Sequence, residues 1–196
     1  MLKIHTLPLG DYQTNTYIVH HDGSDKCVII DAGYEAAVIL RSLDRLGLTA
    51  EGILLTHGHF DHVGAVRSLA AELECPVYIC AGDLSMPPMM TAGPLYYTDT
   101  YTEGSRLNLA GLDISVLHTP GHTPGSVCLL IENAMFSGDT LFAGSCGRTD
   151  LPGGSWSTIQ DSLKRLARLE GDYAVYPGHG GSSTLSMEKL YNPYMR

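Results

Sequence analysis

Short runs of apolar and β-branched residues, each bounded by Gly, Pro, Asn, Asp or Ser, define the predicted strands of this chain. The Glu132-Asn133 pair between two such runs predicts a hairpin turn. The stretch from Asp83 to Tyr101 is rich in Pro, Gly and Tyr and is predicted to be irregular. The predicted strands are Thr16–His20, Cys27–Asp31, Ile53–Leu55, Val77–Ile79, Leu112–Leu117, Val127–Ile131, Ala134–Phe136 and Tyr173–Tyr176.

Apolar residues at helical spacing predict helices between these strands. The clearest case is Ser157–Leu169, in which Ile159, Leu163 and Leu166 fall on one face. Because strands and helices occur in both halves of the chain, we expect two sheets with helices on their outer faces. The predicted helices are Glu35–Leu46, Val63–Leu73, Ser157–Leu169 and Leu185–Tyr191.

Length and composition predict one compact domain over residues 1–196. A chain of 196 residues with 44% hydrophobic content can bury a sizeable core, and no Pro/Ser-rich linker, charge run or repeat divides it. The N-terminus lacks the apolar core of a signal peptide, and no eighteen apolar residues run together. We therefore expect a cytoplasmic protein without a membrane partner, as a monomer or a homodimer.

Charge and cysteine content exclude further classes. The formal net charge is −9 with only 12 Lys and Arg, which argues against nucleic acid as a partner because phosphate binding needs clustered cations. Five cysteines without a Cys-x-x-Cys pair argue against a disulfide framework or a structural zinc site. Four of them belong to apolar stretches, and Cys146 lies in a Gly-rich loop where we do not expect a nucleophile.

Three imidazoles and a carboxylate follow the apolar run Ile53–Leu55, in the segment Thr56-His57-Gly58-His59-Phe60-Asp61-His62. Imidazole nitrogens and carboxylate oxygens are ligands that zinc and similar ions prefer. The end of a strand can also direct alternate residues, here His57 and His59, to the same side. The segment therefore predicts a metal site.

Further ligands are expected downstream, because a catalytic ion keeps one position open and would not use all four groups. Three candidates lie on Gly-containing turns after apolar runs: His122, Asp139 and His179. The alternatives are that each His only makes hydrogen bonds within its turn and that the Asp139 side chain only caps its turn. Their combination with the first segment favours ligation. Of the other histidines, His118 is expected to support His122 from four residues away, whereas His5, His20 and His21 are assigned to the surface or to support of a ligand.

These segments together resemble the metallo-β-lactamase superfamily of metallohydrolases over nearly the whole chain. The resemblance implies a four-layer αβ/βα sandwich. It also implies that His57, His59 and His122 hold one divalent ion, that Asp61, His62 and His179 hold a second, and that Asp139 bridges them. Zinc is the expected ion, with iron and manganese as alternatives. The segment Gly138–Arg148 is similar to the glyoxalase II branch, and the tail Ser183–Pro193 to its short, single-domain bacterial members. The C-terminal helical domain by which larger members bind glutathione is therefore expected to be absent.

The expected reaction is hydrolysis of a thioester. A water held between two divalent ions loses its proton near neutral pH, and the same ions polarise a carbonyl. Asp61 is the candidate to accept that proton. The resemblance places Arg148 where the family has a basic residue that binds the carboxylate of the thiol, which predicts a small anionic thioester such as S-lactoylglutathione. Asp150 replaces a family aromatic residue, so another low-molecular-weight thiol is a second candidate.

Two other functions stay open at this stage. The segment Cys146–Asp150 also resembles persulfide dioxygenases, in which His57, His122 and Asp139 would bind a single iron. A metal-binding protein without catalysis is the third hypothesis, although convergent ligands on loops are typical of active sites. Metal content discriminates among them: two zinc ions favour the hydrolase, one iron the dioxygenase, and metal without turnover the binding protein.

Overall fold

The computed structural model describes residues 1–195, and it contains two six-stranded sheets. The first sheet has its strands in sequence order, with β1 antiparallel to β2, β2 antiparallel to β3, and the remaining neighbours parallel. Its strands are β1 (Leu2–Leu9), β2 (Thr14–His21), β3 (Lys26–Ile30), β4 (Thr49–Leu54), β5 (Val77–Cys80) and β6 (Asp99–Tyr101).

The second sheet has the order β14-β13-β10-β9-β8-β7, in which only β10 and β13 pair in parallel. A separate small hairpin, β11 (Leu141–Phe142) with β12 (Ser145–Cys146), follows β10. The strands of the second sheet are β7 (Arg106–Leu109), β8 (Leu112–His118), β9 (Val127–Ile131), β10 (Ala134–Gly138), β13 (Ala174–Pro177) and β14 (Ser183–Thr184).

Five α-helices accompany the sheets in the described residues. The Ser155 side chain accepts a hydrogen bond from the backbone N–H of Thr158 and so caps α4, and Thr184 caps α5 through Met187 in the same way. Gly47 ends α1 in the left-handed conformation with φ 66°, which a glycine adopts at little cost. The helices are α1 (Ala36–Leu46), α2 (Phe60–Val63), α3 (Val66–Leu73), α4 (Trp156–Ala167) and α5 (Leu185–Tyr191).

Three layers of buried apolar side chains separate four layers of structure. Alternate residues of β3 face opposite ways, since Ile29 packs with α1 and α3 whereas Ile30 packs between the two sheets. In the second sheet, Leu129 contributes to the layer between the sheets and Cys128 to the layer beneath α4. The order helix, sheet, sheet, helix confirms the predicted αβ/βα sandwich.

The predicted elements differ from the structure in a few places. The expected single helix Val63–Leu73 is wrong, because two helices form and the first begins at Phe60, so that Asp61 and His62 are helical. Six strands of the structure, β1, β6, β7, β11, β12 and β14, are not among the predicted ones. The strands β11, β12 and β14 have two residues each, too few to form a pattern. β1 and β7 are sheet-edge strands that are largely half-buried or exposed, and β6 has three residues, so their hydrophobic signal is weak. Among the described residues, no helix has the length and apolar character needed to span a bilayer.

Candidate metal centre

The seven side chains singled out in the sequence meet at one edge of the sandwich, where the two sheets deliver the loops that follow their strands. The segment after β4 carries His57 and His59, and α2 carries Asp61 and His62. From the second sheet, the turn before β9 carries His122, the end of β10 is followed by Asp139, and the end of β13 by His179. All seven are buried or half-buried.

Potential ligand atoms cluster into three overlapping groups, in each of which the atoms lie within 4.8 Å of one another. The groups are His57, His59 and His122; His57, His62 and Asp139; and Asp61, His62 and His179. The first and third groups are the two ligand sets that the family resemblance implies. Asp139 lies between them.

The two oxygens of Asp139 face different histidines. Its Oδ1 lies 3.4 Å from His62 Nε2, and its Oδ2 lies 3.5 Å from His122 Nε2 and 3.6 Å from His179 Nε2. Burial would raise the pKa of Asp139, but the neighbouring imidazoles of His62, His122 and His179 outweigh it and hold the pKa well below its usual range. The carboxylate is therefore ionised and able to face two cations at once.

Hydrogen bonds on the far side of two rings fix which nitrogen faces the cluster. Nδ1 of His122 donates to the carbonyl of Arg148 over 2.7 Å, and Nδ1 of His179 donates to the carbonyl of Tyr12 over 3.1 Å. Because a carbonyl can only accept, Nδ1 carries a proton in both rings, so Nε2 is the nitrogen of each ring that can bind an ion in the cluster. This arrangement is typical of metal-binding histidines.

Asp31, at the end of β3, orients two more rings. Its Oδ2 accepts from Nδ1 of His62 at 2.8 Å and from the Thr56 hydroxyl at 2.8 Å. Since that hydroxyl hydrogen is used, Thr56 Oγ1 accepts from Nδ1 of His57 at 3.2 Å, which leaves the Nε2 lone pair of His57 free for an ion. Burial lowers the pKa of His57 well below its ordinary value and that of His59 to about 4, so both rings are neutral, as ligation requires.

The unsatisfied atoms of the cluster fit a bound cation. His57 Nε2, His59 Nε2 and Asp139 Oδ1 are buried without a hydrogen-bond partner in the part of the chain that is described. Buried polar atoms without partners are rare in proteins and call for an explanation, such as an ion. Nδ1 of His59 lies 2.9 Å from Nε2 of His122 and donates to it, because Nδ1 of His122 already carries a proton, and this leaves the Nε2 lone pair of His59 without a partner.

Glycine allows the close approach of the last candidate ligand, His179. A Cβ on Gly178, which precedes His179, would lie 2.2 Å from Asp139 Oδ1 and 2.6 Å from His62 Cε1. Any larger residue would push the His179 segment away from the cluster. Asn15 of β2 also holds this segment, because its side-chain amide donates to the carbonyls of Pro177 and Gly180, both at 3.0 Å.

The cluster opens into a cavity of about 650 Å³ with a largely apolar wall. Arg148 lies at this cavity and is paired bidentately with Asp150, through Nε and a terminal nitrogen at 2.7 Å each. The lining residues are Tyr12, His59, Phe60, Asp61, Met90, His122, Asp139, Phe142, Ser145, Cys146, Arg148, Leu151 and His179.

Sequence reasoning missed two buried carboxylates, Asp31 and Asp83, that hold the ligand loops. Asp31 had a signal, since it follows an apolar strand directly, whereas Asp83 had none. The expectation that His118 supports His122 is wrong. Its ring bonds the carbonyl of Pro124 at 2.8 Å, and the support of His122 comes from the carbonyl of Arg148.

Comparison with known proteins agrees with this geometry. Residues 9–179 match the metallo-beta-lactamase superfamily. The chain is 32% identical to hydroxyacylglutathione hydrolase GloC of Haemophilus influenzae, over 99% of this chain and 98% of that protein. The crystal structure of TTHA1623 in a di-iron-bound form superposes with a TM-score of 0.85 at 39% identity, covering 97% of this chain and 99% of that one. The crystal structure of ETHE1 from Myxococcus xanthus gives a TM-score of 0.86 at 28% identity, covering 97% and 83%.

Proposed function

The chain belongs to the metallo-beta-lactamase superfamily as a metal-dependent hydrolase, and on that premise we propose that it hydrolyses a small anionic thioester at a centre of two divalent ions. S-lactoylglutathione, or the ester of a related low-molecular-weight thiol, is the proposed substrate. Zinc is the first choice of ion, with iron or manganese as alternatives. In this proposal the protein acts as a monomer or a homodimer, without a nucleic-acid or membrane partner.

The position of Asp139 carries the proposal, because its two oxygens face histidines of both ligand groups. The first ion would be held by His57, His59 and His122, and the second by Asp61, His62 and His179, with Asp139 shared. When bound, two such ions supply a water that ionises near neutral pH and polarise the substrate carbonyl. The di-iron form of a protein 39% identical over 97% of this chain supports two sites rather than one.

Asp61 is the proposed proton acceptor. Its side chain lies at the cavity, and its Oδ2 accepts a hydrogen bond from the Thr14 hydroxyl at 3.1 Å and lies 3.2 Å from His179 Nε2. Burial would raise the pKa of Asp61, but His179 and His62 outweigh it and lower the pKa. The carboxylate is therefore ionised at neutral pH. The leaving thiolate needs little help from an acid, because its conjugate thiol has a pKa of about 8.5.

Arg148 is the proposed contact for the carboxylate of the substrate. Its pair with Asp150 is exposed on both sides, at 61% and 67% of the side-chain surface. An exposed ion pair in water contributes little to stability, so a substrate carboxylate can replace Asp150 at little cost. The apolar wall of Phe60, Met90 and Phe142 would exclude water around the rest of the substrate.

Metal content and turnover measured on the same protein test the proposal. Protein purified without chelator should carry close to two divalent ions per chain and hydrolyse S-lactoylglutathione. His57→Ala should lose both properties, while His21→Ala should keep them, because the His21 ring bonds Glu132 on the surface and lies outside the cluster. One iron per chain with oxidation of a persulfide would establish the dioxygenase instead. Full metal loading without turnover of any thioester would leave a metal-binding protein.

A further inference from the structure

The C-terminal helix α5 uses polar residues on its buried side. Glu188 is 4% exposed and Asn192, which follows the helix, is fully buried, whereas Met187 and Tyr191 are 51% and 62% exposed. Glutamate is almost never buried without a partner, because removing a charge from water is costly. The location of the partners therefore shows what this helix holds.

The partners of Glu188 and Asn192 are backbone groups of the β11–β12 hairpin. Glu188 Oε2 accepts the N–H of Gly144 at 2.8 Å and the side-chain amide of Asn192 at 2.8 Å. That amide also donates to the carbonyls of Ser145 at 3.0 Å and Phe142 at 3.3 Å. One carboxylate and one amide thus bind the turn of the hairpin on both of its strands.

The hairpin needs such support. Each of its strands has two residues, and an isolated two-stranded hairpin is marginally stable at best in water. Its turn contains Gly144 with φ +69° and is exposed. The hairpin nevertheless forms one wall of the cavity, through Phe142, Ser145 and Cys146.

We propose that Glu188 and Asn192 are positioning residues that fix the β11–β12 hairpin as the substrate-facing wall of the cavity. Their side-chain hydrogen bonds within the described residues go to the hairpin backbone, to each other and to Tyr194, and none goes to the seven side chains of the metal cluster. Loss of these bonds therefore affects substrate binding before it affects the ions. The kinetic part of this inference rests on the proposed thioesterase function.

Replacement of Glu188 separates positioning from general stability. Glu188→Ala should raise KM for S-lactoylglutathione by about fivefold, which corresponds to the net free energy of one hydrogen bond lost from substrate binding. The value of kcat should stay nearly unchanged, because the groups of the metal cluster are not altered. Both hydrogen bonds that the Glu188 side chain accepts end on Oε2. Glu188→Gln keeps an oxygen acceptor at that position and should therefore restore KM to the wild-type value. Glu170→Ala, at an exposed glutamate, is the matched control and should leave KM unaltered. Equal KM values for Glu188→Ala and the control would overturn the proposal.

Two measurements need no substrate and so remain valid if the thioesterase proposal fails. Cys146 lies in the hairpin and is half-buried, while the other four cysteines are buried. Its labelling by a thiol reagent should be about fivefold faster in Glu188→Ala than in wild type or Glu188→Gln. If Glu188→Ala does not fold, hydrogen exchange of the wild-type protein decides. The Gly144 amide should exchange more slowly than that of Ala143 in the same turn. Unchanged labelling of Cys146, or a Gly144 amide that exchanges as fast as that of Ala143, would refute the proposal that Glu188 and Asn192 fix the hairpin.

Discussion

Replacing Asp83 with Asn should weaken both the fold and the first metal site, because this buried carboxylate joins two ligand loops. Its Oδ2 accepts the N–H of Gly58 at 2.8 Å and the hydroxyl of Thr123 at 2.9 Å, and its Oδ1 accepts the N–H of Gly125 at 2.6 Å. Gly58 lies between His57 and His59, and Thr123 follows His122. Asp83 thus ties together the loops of three proposed ligands.

The magnitude follows from the hydrogen-bonding capacity of asparagine. With its oxygen at the Oδ2 position, the asparagine of Asp83→Asn would keep two bonds, but its NH2 group would face the Gly125 N–H, donor against donor. Loss of a hydrogen bond to a charged group costs about 1.5–3 kcal/mol. Part of this is offset, because burial raises the pKa of Asp83 and therefore disfavours the carboxylate that the substitution removes. A net loss of about 2 kcal/mol would lower Tm by roughly 4–8 °C for a chain of this size.

The two loops that Asp83 joins have little room to adjust to the Asp83→Asn substitution. A Cβ on Gly125 would lie 2.6 Å from the Asp83 backbone nitrogen, so the two segments are already in tight contact. We therefore expect the extra amide hydrogens to push the His122 turn away from the His57 loop. Metal affinity should fall by about 10- to 100-fold, the usual effect of changing a residue that orients ligands.

Thermal unfolding and metal titration of Asp83→Asn against Asp113→Asn provide the assay. Asp113 lies exposed on β8 and accepts one side-chain bond from Asn108, so its replacement should stay within about 0.5 kcal/mol of wild type. One ion should be lost at lower chelator concentration in Asp83→Asn only. A variant with wild-type Tm and wild-type affinity for both ions would refute the claim that Asp83 sets the distance between these loops.

Three further predictions concern the bridging carboxylate, the cavity and pH. Asp139→Asn removes the charge of the bridging carboxylate and should reduce thioesterase activity by orders of magnitude with an unaltered circular dichroism spectrum. Near-normal turnover would refute the proposal that Asp139 bridges the two ions. Arg148→Ala should raise KM for S-lactoylglutathione but not for a neutral thioester; equal loss on both, with a lower Tm, would mean that its pair with Asp150 is only structural. Arg165, hydrogen-bonded to Glu103, holds the pKa of that carboxyl below its ordinary value, so the pair stabilises the fold above the ordinary carboxyl range and the stabilisation disappears as pH falls through the lowered pKa. Arg165→Met should therefore be less stable than wild type at pH 7, by about 1 kcal/mol at most for the ion pair because the pair is largely exposed. The difference in Tm should shrink in acid to what the bond of Arg165 to the carbonyl of His118 contributes.

The sequence alone identified the segments that carry the proposed ligands, and it predicted the layered architecture. His57 to His62 form a local pattern after an apolar strand, and such a pattern needs no tertiary information to be recognised. Some buried strands are continuous apolar runs, such as Val127–Ile131, which is predicted and observed with the same bounds. The amphipathic face of α4 likewise follows from spacing within one helix.

Only the tertiary structure decided which polar residues hold in place the loops of the proposed ligands and the hairpin that lines the cavity. Asp83 binds Gly125 from 42 residues away, Asp31 binds His62 from 31, and Asn192 binds Ser145 from 47. Each is a single Asp or Asn in a loop or at the end of an element, where such residues are common and usually solvated. The chain gives no periodic signal for a hydrogen bond between distant loops, because that bond depends on where the two sheets bring the loops together. Burial then makes each of these bonds obligatory, since an unpaired polar group away from water is costly.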